Sequence, residues 1–97
     1  MSDKPVAIVT GSGMGIGAAC ARALAKEGFR VGLHYRKSAG GATSLQAELG
    51  DAFLLQADLA EIDQVEALVN RIREEAGRAD VLVNNAGLSI NADINAM

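Results

Sequence analysis

Apolar residues along this chain fall into short blocks whose period changes as the chain advances. Val6 to Val9 is apolar throughout and runs straight into the glycine-rich stretch Thr10 to Gly17, T-G-S-G-M-G-I-G. A short, wholly apolar run predicts a strand buried on both faces. From Ile16 to Glu27 the pattern becomes helical. Ala18, Ala19, Ala21, Ala23 and Ala25 favour helix and permit close approach to a sheet, and Gly28 stands where a C′ glycine ends one. Arg30 to Tyr35, R-V-G-L-H-Y, alternates and carries β-formers, predicting a second strand. Ser38 is the expected cap of a second helix running to about Leu49 and closed by Gly50, with Gly40 and Gly41 weakening its first turn.

Ala52 to Gln56 predicts a third strand, left by way of Ala57-Asp58-Leu59. Asp63-Gln64-Val65-Glu66 has the spacing of a capping box, with Asp63 as N-cap and Glu66 reaching back. Val65, Leu68, Val69, Ile72 and Ala76 then recur at helical spacing, which predicts an amphipathic helix ending at Gly77. Asp80 to Asn84 is the fourth expected strand, Asn85-Ala86-Gly87 turns away from it, and Leu88 to Met97 has no clear period. Strands alternating with helices, βαβαβαβ, predict an α/β fold with a doubly wound parallel sheet. The ligand edge is then expected at the C-terminal end of the first strand.

Composition narrows the picture. The 97 residues suit one small domain, and at 49% hydrophobic and 22% charged they can form a core. Phe29, Tyr35 and Phe53 are the only aromatics, so that core is built from Val, Ile, Leu and Ala, the usual material of a parallel sheet covered by helices. A net charge of −3 and a pI near 5.0 leave no electrostatic footprint for nucleic acid or an anionic membrane. Cys20, the single cysteine, excludes an intrachain disulfide and a cysteine-clustered metal site, and is expected as a small buried residue. Met1 to Pro5 lacks the basic start and apolar run of a signal peptide, and every apolar stretch is interrupted before membrane-spanning length. A cytoplasmic protein is the expectation.

The chemistry begins at the glycine stretch. Between a strand and a helix, glycines let the backbone adopt positive φ and approach a ligand, while the first N–H groups of the helix point at any anion above them. Glycine clusters also occur in plain loops, so this turn alone leaves both readings open.

Three separated motifs decide between them: T-G-x-x-x-G-x-G at Thr10 to Gly17, Asp58-Leu59 after the third strand, and N-N-A-G at Asn84 to Gly87. Matching in order and spacing from about Lys4 to Gly87, the chain resembles the N-terminal part of the short-chain dehydrogenase/reductase family. A rival pattern, G-x-G-x-x-A from Gly13 to Ala18, suits other dinucleotide folds but leaves the later motifs unexplained. The resemblance implies a Rossmann-type fold and a nicotinamide dinucleotide cofactor. In that light Gly11 makes the tight turn, Gly15 lets the backbone near the pyrophosphate, and Gly17 allows the helix to pack close to the sheet. Ser12 and Gly13 fill the variable part of the turn, where the serine hydroxyl is expected to reach a phosphate or ribose oxygen, and Ile16 belongs to the same cofactor-binding turn. Asp58 is implied to accept from the adenine amino group and the Leu59 amide to donate to the ring; the plain alternative for Asp58 is a turn or N-cap carboxylate. Asn84 is expected to tie neighbouring strands together, with Asn85, Ala86 and Gly87 flanking the adenosine. His34, the only histidine, has no carboxylate or serine partner at readable spacing, so a strand or adenosine-rim role is expected over acid/base chemistry.

Cofactor choice turns on the end of the second strand. Family members using NAD typically place an acid there; this chain has Tyr35, followed by Arg36, Lys37 and Ser38. A planar guanidinium suits a phosphate, so NADP(H) is expected over NAD(H). The plain alternative is a solvated basic corner, and Met14 counts against NADP, because many NADP-preferring relatives carry a basic residue at that loop position. The family's proton-transfer motif, Y-x-x-x-K with an upstream serine, is not found: Tyr35 is the only tyrosine and Ala39 lies four residues on. No catalytic residue and no metal site is assigned.

Complete family members run to roughly 250 residues as one domain. Residues 1–97 are therefore expected to be the cofactor-binding segment of an NADP-dependent oxidoreductase acting on a small-molecule carbonyl or alcohol, and inactive alone. The alternative is a short dinucleotide-binding or interaction module without turnover. Val81 and Val83 are expected at an uncovered sheet edge, which makes the C-terminal remainder of the protein and a second copy of the chain the expected partners. The substrate is not legible.

Overall fold

In a computed structural model, residues 4–13 and 15–85 are described. They form β1 (Val6–Val9), α1 (Gly15–Lys26), β2 (Arg30–Tyr35), α2 (Gly40–Leu49), β3 (Ala52–Gln56), α3 (Ile62–Glu75) and β4 (Val81–Val83). The strands make one parallel sheet in the order β3-β2-β1-β4. The fold is thus the expected Rossmann-type α/β sheet.

Alternation along the strands sends side chains to two separate cores. Val6, Ile8, Phe53 and Leu55 pack under Leu68 and Ile72 of α3, whereas Val9, Val31 and Leu33 pack under Ala18 and Ala21 of α1 and Ala42 and Leu45 of α2. Helices therefore cover both faces, and the all-buried run of β1 follows from its central place. Because α1 and α2 carry the chain outward to β3 on one face and α3 returns it to the far side of β1 on the other, the winding reverses between β1 and β4. A crevice opens at such a reversal, beyond the C-terminal ends of the strands.

The opposite edge of the sheet is closed by polar fastenings. The Val6 amide donates to the Asp80 carboxylate at 2.8 Å, and Arg78 grips the same carboxylate through two hydrogen bonds of 2.8 Å. Arg30 lies 4.7 Å from the centre of the Phe53 ring and donates to the Glu75 carbonyl at 2.6 Å, placing a cation at the C-terminal end of α3.

Several boundaries differ from the sequence reading, each for a local reason. Glu61, not Asp63, occupies the N-cap of α3, and no side chain caps that residue's helix. The turn begins earlier because the Glu61 amide donates to the Asp58 carbonyl at 3.0 Å, which leaves Asp63 inside the first turn, where an acid suits the helix dipole. It is Gln64, rather than Glu66, that reaches back, to the Asp58 amide. Ala39 replaces Ser38 as the N-cap of α2. Its start is set by packing: a Cβ on Gly41 would fall on the Gly13 carbonyl oxygen, so the glycine that weakens the helix is what lets it touch the first turn. Cys20 is only partly buried, at the rim of the core beneath α1 and α2. In β4, which is shorter than the expected Asp80 to Asn84, Val81 and Val83 are half-buried and Leu82 is the exposed residue.

α1 ends as expected at Gly28 (φ 95°): the Gly28 amide bonds the Ala25 carbonyl and the Phe29 amide bonds the Leu24 carbonyl, both at 3.1 Å, a Schellman arrangement. Gly32, in mid-strand, has a different cause. A Cβ there would meet Ile8 Cδ1 at 2.6 Å, Phe53 Cζ at 2.9 Å and Leu55 Cδ1 at 3.0 Å, because these larger side chains fill its place beneath α3. Gly32→Val is expected to destabilise the protein by about 1–3 kcal/mol through overpacking. Urea unfolding followed by circular dichroism checks this, and an unchanged midpoint would mean the three side chains yield freely.

Candidate functional site

The parallel strands bring four chain segments to one edge: the glycine turn after β1, Tyr35 to Lys37 after β2, Ala57 to Leu59 after β3, and Asn84 and Asn85 after β4. All the sequence-derived candidates within the described residues lie along this edge. Ala86 and Gly87, like Met14, lie outside them.

The glycine turn divides its work between conformation and space. Gly11 (φ 60°) and Gly15 (φ 61°) both adopt the left-handed region that other residues resist. A Cβ on Gly15 would stand in open space. Gly17 is constrained from the other side, since a Cβ there would fall on the Gly11 carbonyl oxygen and approach Asn85 Nδ2 to 2.7 Å. The start of α1 is thereby drawn under the turn, with its first amides facing the open edge and Ile16 73% exposed beside them.

The turn is fastened to β4 through Thr10. The Asn85 amide donates to the Thr10 hydroxyl at 2.7 Å, and that hydroxyl lies 3.2 Å from the Val83 carbonyl and 3.4 Å from Asn84 Oδ1. The Asn84 side chain thus meets the end of β1, as a strand tie does. Asn85 Nδ2 reaches the Gly11 carbonyl at 3.4 Å.

Towards β2 and β3 the fastening is His34, whose ring is buried on the α3 face of the sheet. Nδ1 accepts from the Gly11 amide at 3.1 Å, and Nε2 lies 2.9 Å from the Ala57 carbonyl. These partners fix the neutral Nε2–H tautomer: one nitrogen faces a donor and the other an acceptor. Burial lowers the ring pKa below its ordinary 6.5, a shift only partly opposed by the Ala57 carbonyl. The His34 carbonyl accepts from the Ser12 amide at 3.0 Å and the Ser12 hydroxyl at 3.1 Å. Ser12 is fully buried, so its hydroxyl turns inward rather than towards a phosphate or ribose. The ties made by Thr10 and His34 were not foreseen from sequence; a lone polar residue directly after an apolar strand, and one inside a strand, were the available signals.

At the tip of β2, Tyr35 is half-buried while Arg36 and Lys37 are exposed, and neither cation has a carboxylate partner among the described residues. Beyond β3, Asp58 Oδ1 accepts from the Ala60 amide at 3.0 Å, an Asx turn, so the carboxylate does serve the local chain. The Asp58 amide donates to Gln64 Oε1 at 2.6 Å. Asp58 Oδ2 and the Leu59 amide have no hydrogen-bond partner among the described residues. Among those residues there is also no cluster of metal-ligating side chains and no helix long and apolar enough to cross a membrane.

The His34 contacts make stability pH-dependent in a stated direction. The unfolded chain takes up a proton near pH 6.5 that the folded ring resists, so this contribution is complete above about pH 6.5 and is lost as the pH falls below it. Asp80, held below its ordinary 3.8 chiefly by Arg78 and then by the Val6 amide, loses its contribution only in more acidic solution. The urea midpoint is expected to drop between about pH 7.5 and 5.5, and this slope is expected to flatten in His34→Gln.

Comparisons to known proteins identify the family. The family model described as short chain dehydrogenase matches residues 5–97. An uncharacterized oxidoreductase of Methylorubrum extorquens is 45% identical over 89% of this chain and 36% of its own length. A 3-oxoacyl-(acyl-carrier-protein) reductase of Synechocystis is 42% identical over 87% of this chain and 36% of its own. A crystal structure assigned to the short-chain dehydrogenases/reductases, from Sinorhizobium meliloti 1021, superposes with a TM-score of 0.83 at 41% identity, covering 94% of this chain and 44% of that one. The chain therefore spans about a third of the length of the curated relatives it matches. With the family model reaching across 5–97 and the parallel sheet in its expected order, this chain belongs to the short-chain dehydrogenase/reductase family of oxidoreductases.

Proposed function

We propose that the C-terminal edge of this sheet binds NADP(H), as the cofactor-holding part of an oxidoreductase that moves hydride between nicotinamide and a carbonyl or alcohol. The observation that carries the choice of NADP is the tip of β2, where Arg36 and Lys37 stand exposed and unpaired among the described residues. Family members that use NAD typically place an acid where this chain has Tyr35. A guanidinium there favours a 2′-phosphate by charge and by its paired donors.

The remaining residues fit a dinucleotide. The open space above Gly15 and the first amides of α1 suit a pyrophosphate, and Gly11, Gly13 and Gly17 permit the turn that presents them. Ile16 offers an apolar surface next to it. Asp58 Oδ2 and the Leu59 amide remain as an acceptor and a donor for the base, with Asn85 on the β4 side. The bound cofactor supplies or takes the hydride; this chain's residues hold and orient it. Because Y-x-x-x-K is not among these 97 residues, the proton-transfer groups are assigned to the rest of a longer protein, and the chain alone is inactive. The name of the Synechocystis relative makes 3-oxoacyl thioesters the first substrates to test. β4 pairs only with β1 among the described residues and leaves Leu82 37% exposed, so its outer edge is where the rest of the protein or a second copy associates.

Calorimetric titration is expected to give tighter binding of NADPH than NADH. Arg36→Ala should weaken NADPH by roughly 10- to 100-fold while changing NADH little; tighter binding of NADH by the unaltered protein would overturn the assignment. Light scattering of the purified chain is expected to report an associated species, and a stable monomer of intact mass would remove the role given to the β4 edge.

A further inference from the structure

The Ala57 carbonyl and the Asp58 amide are the two ends of one peptide group, and both ends are held. His34 Nε2 takes the carbonyl at 2.9 Å from the side of the glycine turn, and Gln64 Oε1 takes the amide at 2.6 Å from the first turn of α3. Rotating this peptide would break both bonds together, leaving His34 buried without its acceptor. The peptide plane fixes the N-terminal side of the Asp58 Cα, and the Asp58 carbonyl, which accepts from the Glu61 amide at 3.0 Å, fixes the other side, so together they set where the Cα–Cβ bond points. The Asx turn to Ala60 then fixes the carboxylate itself, with Oδ1 engaged and Oδ2 left over.

We infer that Gln64 is a positioning residue for purine recognition, acting through the clamped Ala57–Asp58 peptide to aim Asp58 Oδ2 and the Leu59 amide at the base. This rests on the dinucleotide reading of the edge. Gln64 itself needs no contact with the ligand. Its effect is on selectivity: an acceptor at Asp58 and a donor at Leu59 match the amino group and ring nitrogen of adenine. Hypoxanthine inverts both, presenting an oxygen where adenine has an amino group and an N–H where adenine has a lone pair. A correctly held turn rejects it, because each hydrogen-bonding group would face its own kind.

The test compares NADPH with its deamino analogue, nicotinamide hypoxanthine dinucleotide phosphate, by titration against the unaltered protein, Gln64→Leu and Gln64→Glu. The unaltered protein is expected to prefer NADPH by roughly ten- to hundredfold. Gln64→Leu should bring that ratio close to one with the tip of β2 still gripping both ligands, and Gln64→Glu, which keeps an acceptor oxygen, should restore most of it. A general loss of stability would weaken both ligands alike and leave the ratio standing, and an unchanged ratio in Gln64→Leu overturns the inference. So does the lack of any preference in the unaltered protein. Failure of the unaltered protein to bind either dinucleotide, by contrast, is failure of the cofactor reading itself.

Discussion

The buried ring of His34 is the interaction on which the geometry of the open edge depends. It spans the gap between the first turn and the end of β3, accepting from Gly11 and donating to Ala57, while its own carbonyl takes both hydrogen-bonding groups of Ser12. A neutral imidazole is suited to this place because it offers one donor and one acceptor on opposite sides of a rigid ring. A Leu of similar size would fill the volume but strand the Gly11 amide and the Ala57 carbonyl, each at the cost of an unsatisfied buried group. The ring therefore couples segments that lie more than twenty residues apart in sequence, and its neutrality is a condition of that fastening.

Around that ring, position follows from the parallel sheet. Every strand delivers its C-terminal end to the same edge, and the reversal between β1 and β4 leaves the glycine turn at the crevice. Close approach then depends on missing side chains in two places. Gly17 lets α1 come under the Gly11 carbonyl, and Gly41 lets the start of α2 meet the Gly13 carbonyl. The first turn is thus gripped by a helix on either side, by Thr10 towards β4 and by His34 towards β3.

Much of this was legible in the sequence, and the failures share a cause. The order of elements could be read because period, glycine stops and apolar runs are local. The extents of β1, β2 and β3 match the residues expected, as does the C′ glycine of α1. What misled was capping: Ser38 and Asp63 have the right chemistry at nearly the right place, yet tertiary contacts at Gly13 and Asp58 set the helix starts instead. At the edge, Gly11, Gly15 and Gly17 could be placed from spacing, whereas the use of the Ser12 hydroxyl could not. A hydroxyl's partner is decided by what lies across the sheet, and β2 brings the His34 carbonyl there before any ligand arrives. His34 was hidden for the same reason, since both of its partners are backbone groups, which leave no mark in side-chain spacing.

The division between engaged and free groups is itself informative about the ligand. Thr10, Ser12, His34 and Asn85 spend their polar atoms on one another or on the backbone, so they shape the edge and contribute little charge to it. What remains is arranged by sign. The first amides of α1 and the cations of Arg36 and Lys37 gather around the ends of β1 and β2, and a single acceptor, Asp58 Oδ2, with the Leu59 amide beside it, stands at the end of β3. A ligand complementary to that order carries its anionic groups near β1 and β2 and a neutral donor–acceptor pair towards β3. A simple polyanion satisfies the first part and is repelled by the carboxylate in the second; a free base satisfies the second and forgoes the first. A phosphorylated purine dinucleotide carries both, which is why it is the proposed ligand, and the remaining polar groups of the edge are consumed by bonds within the chain.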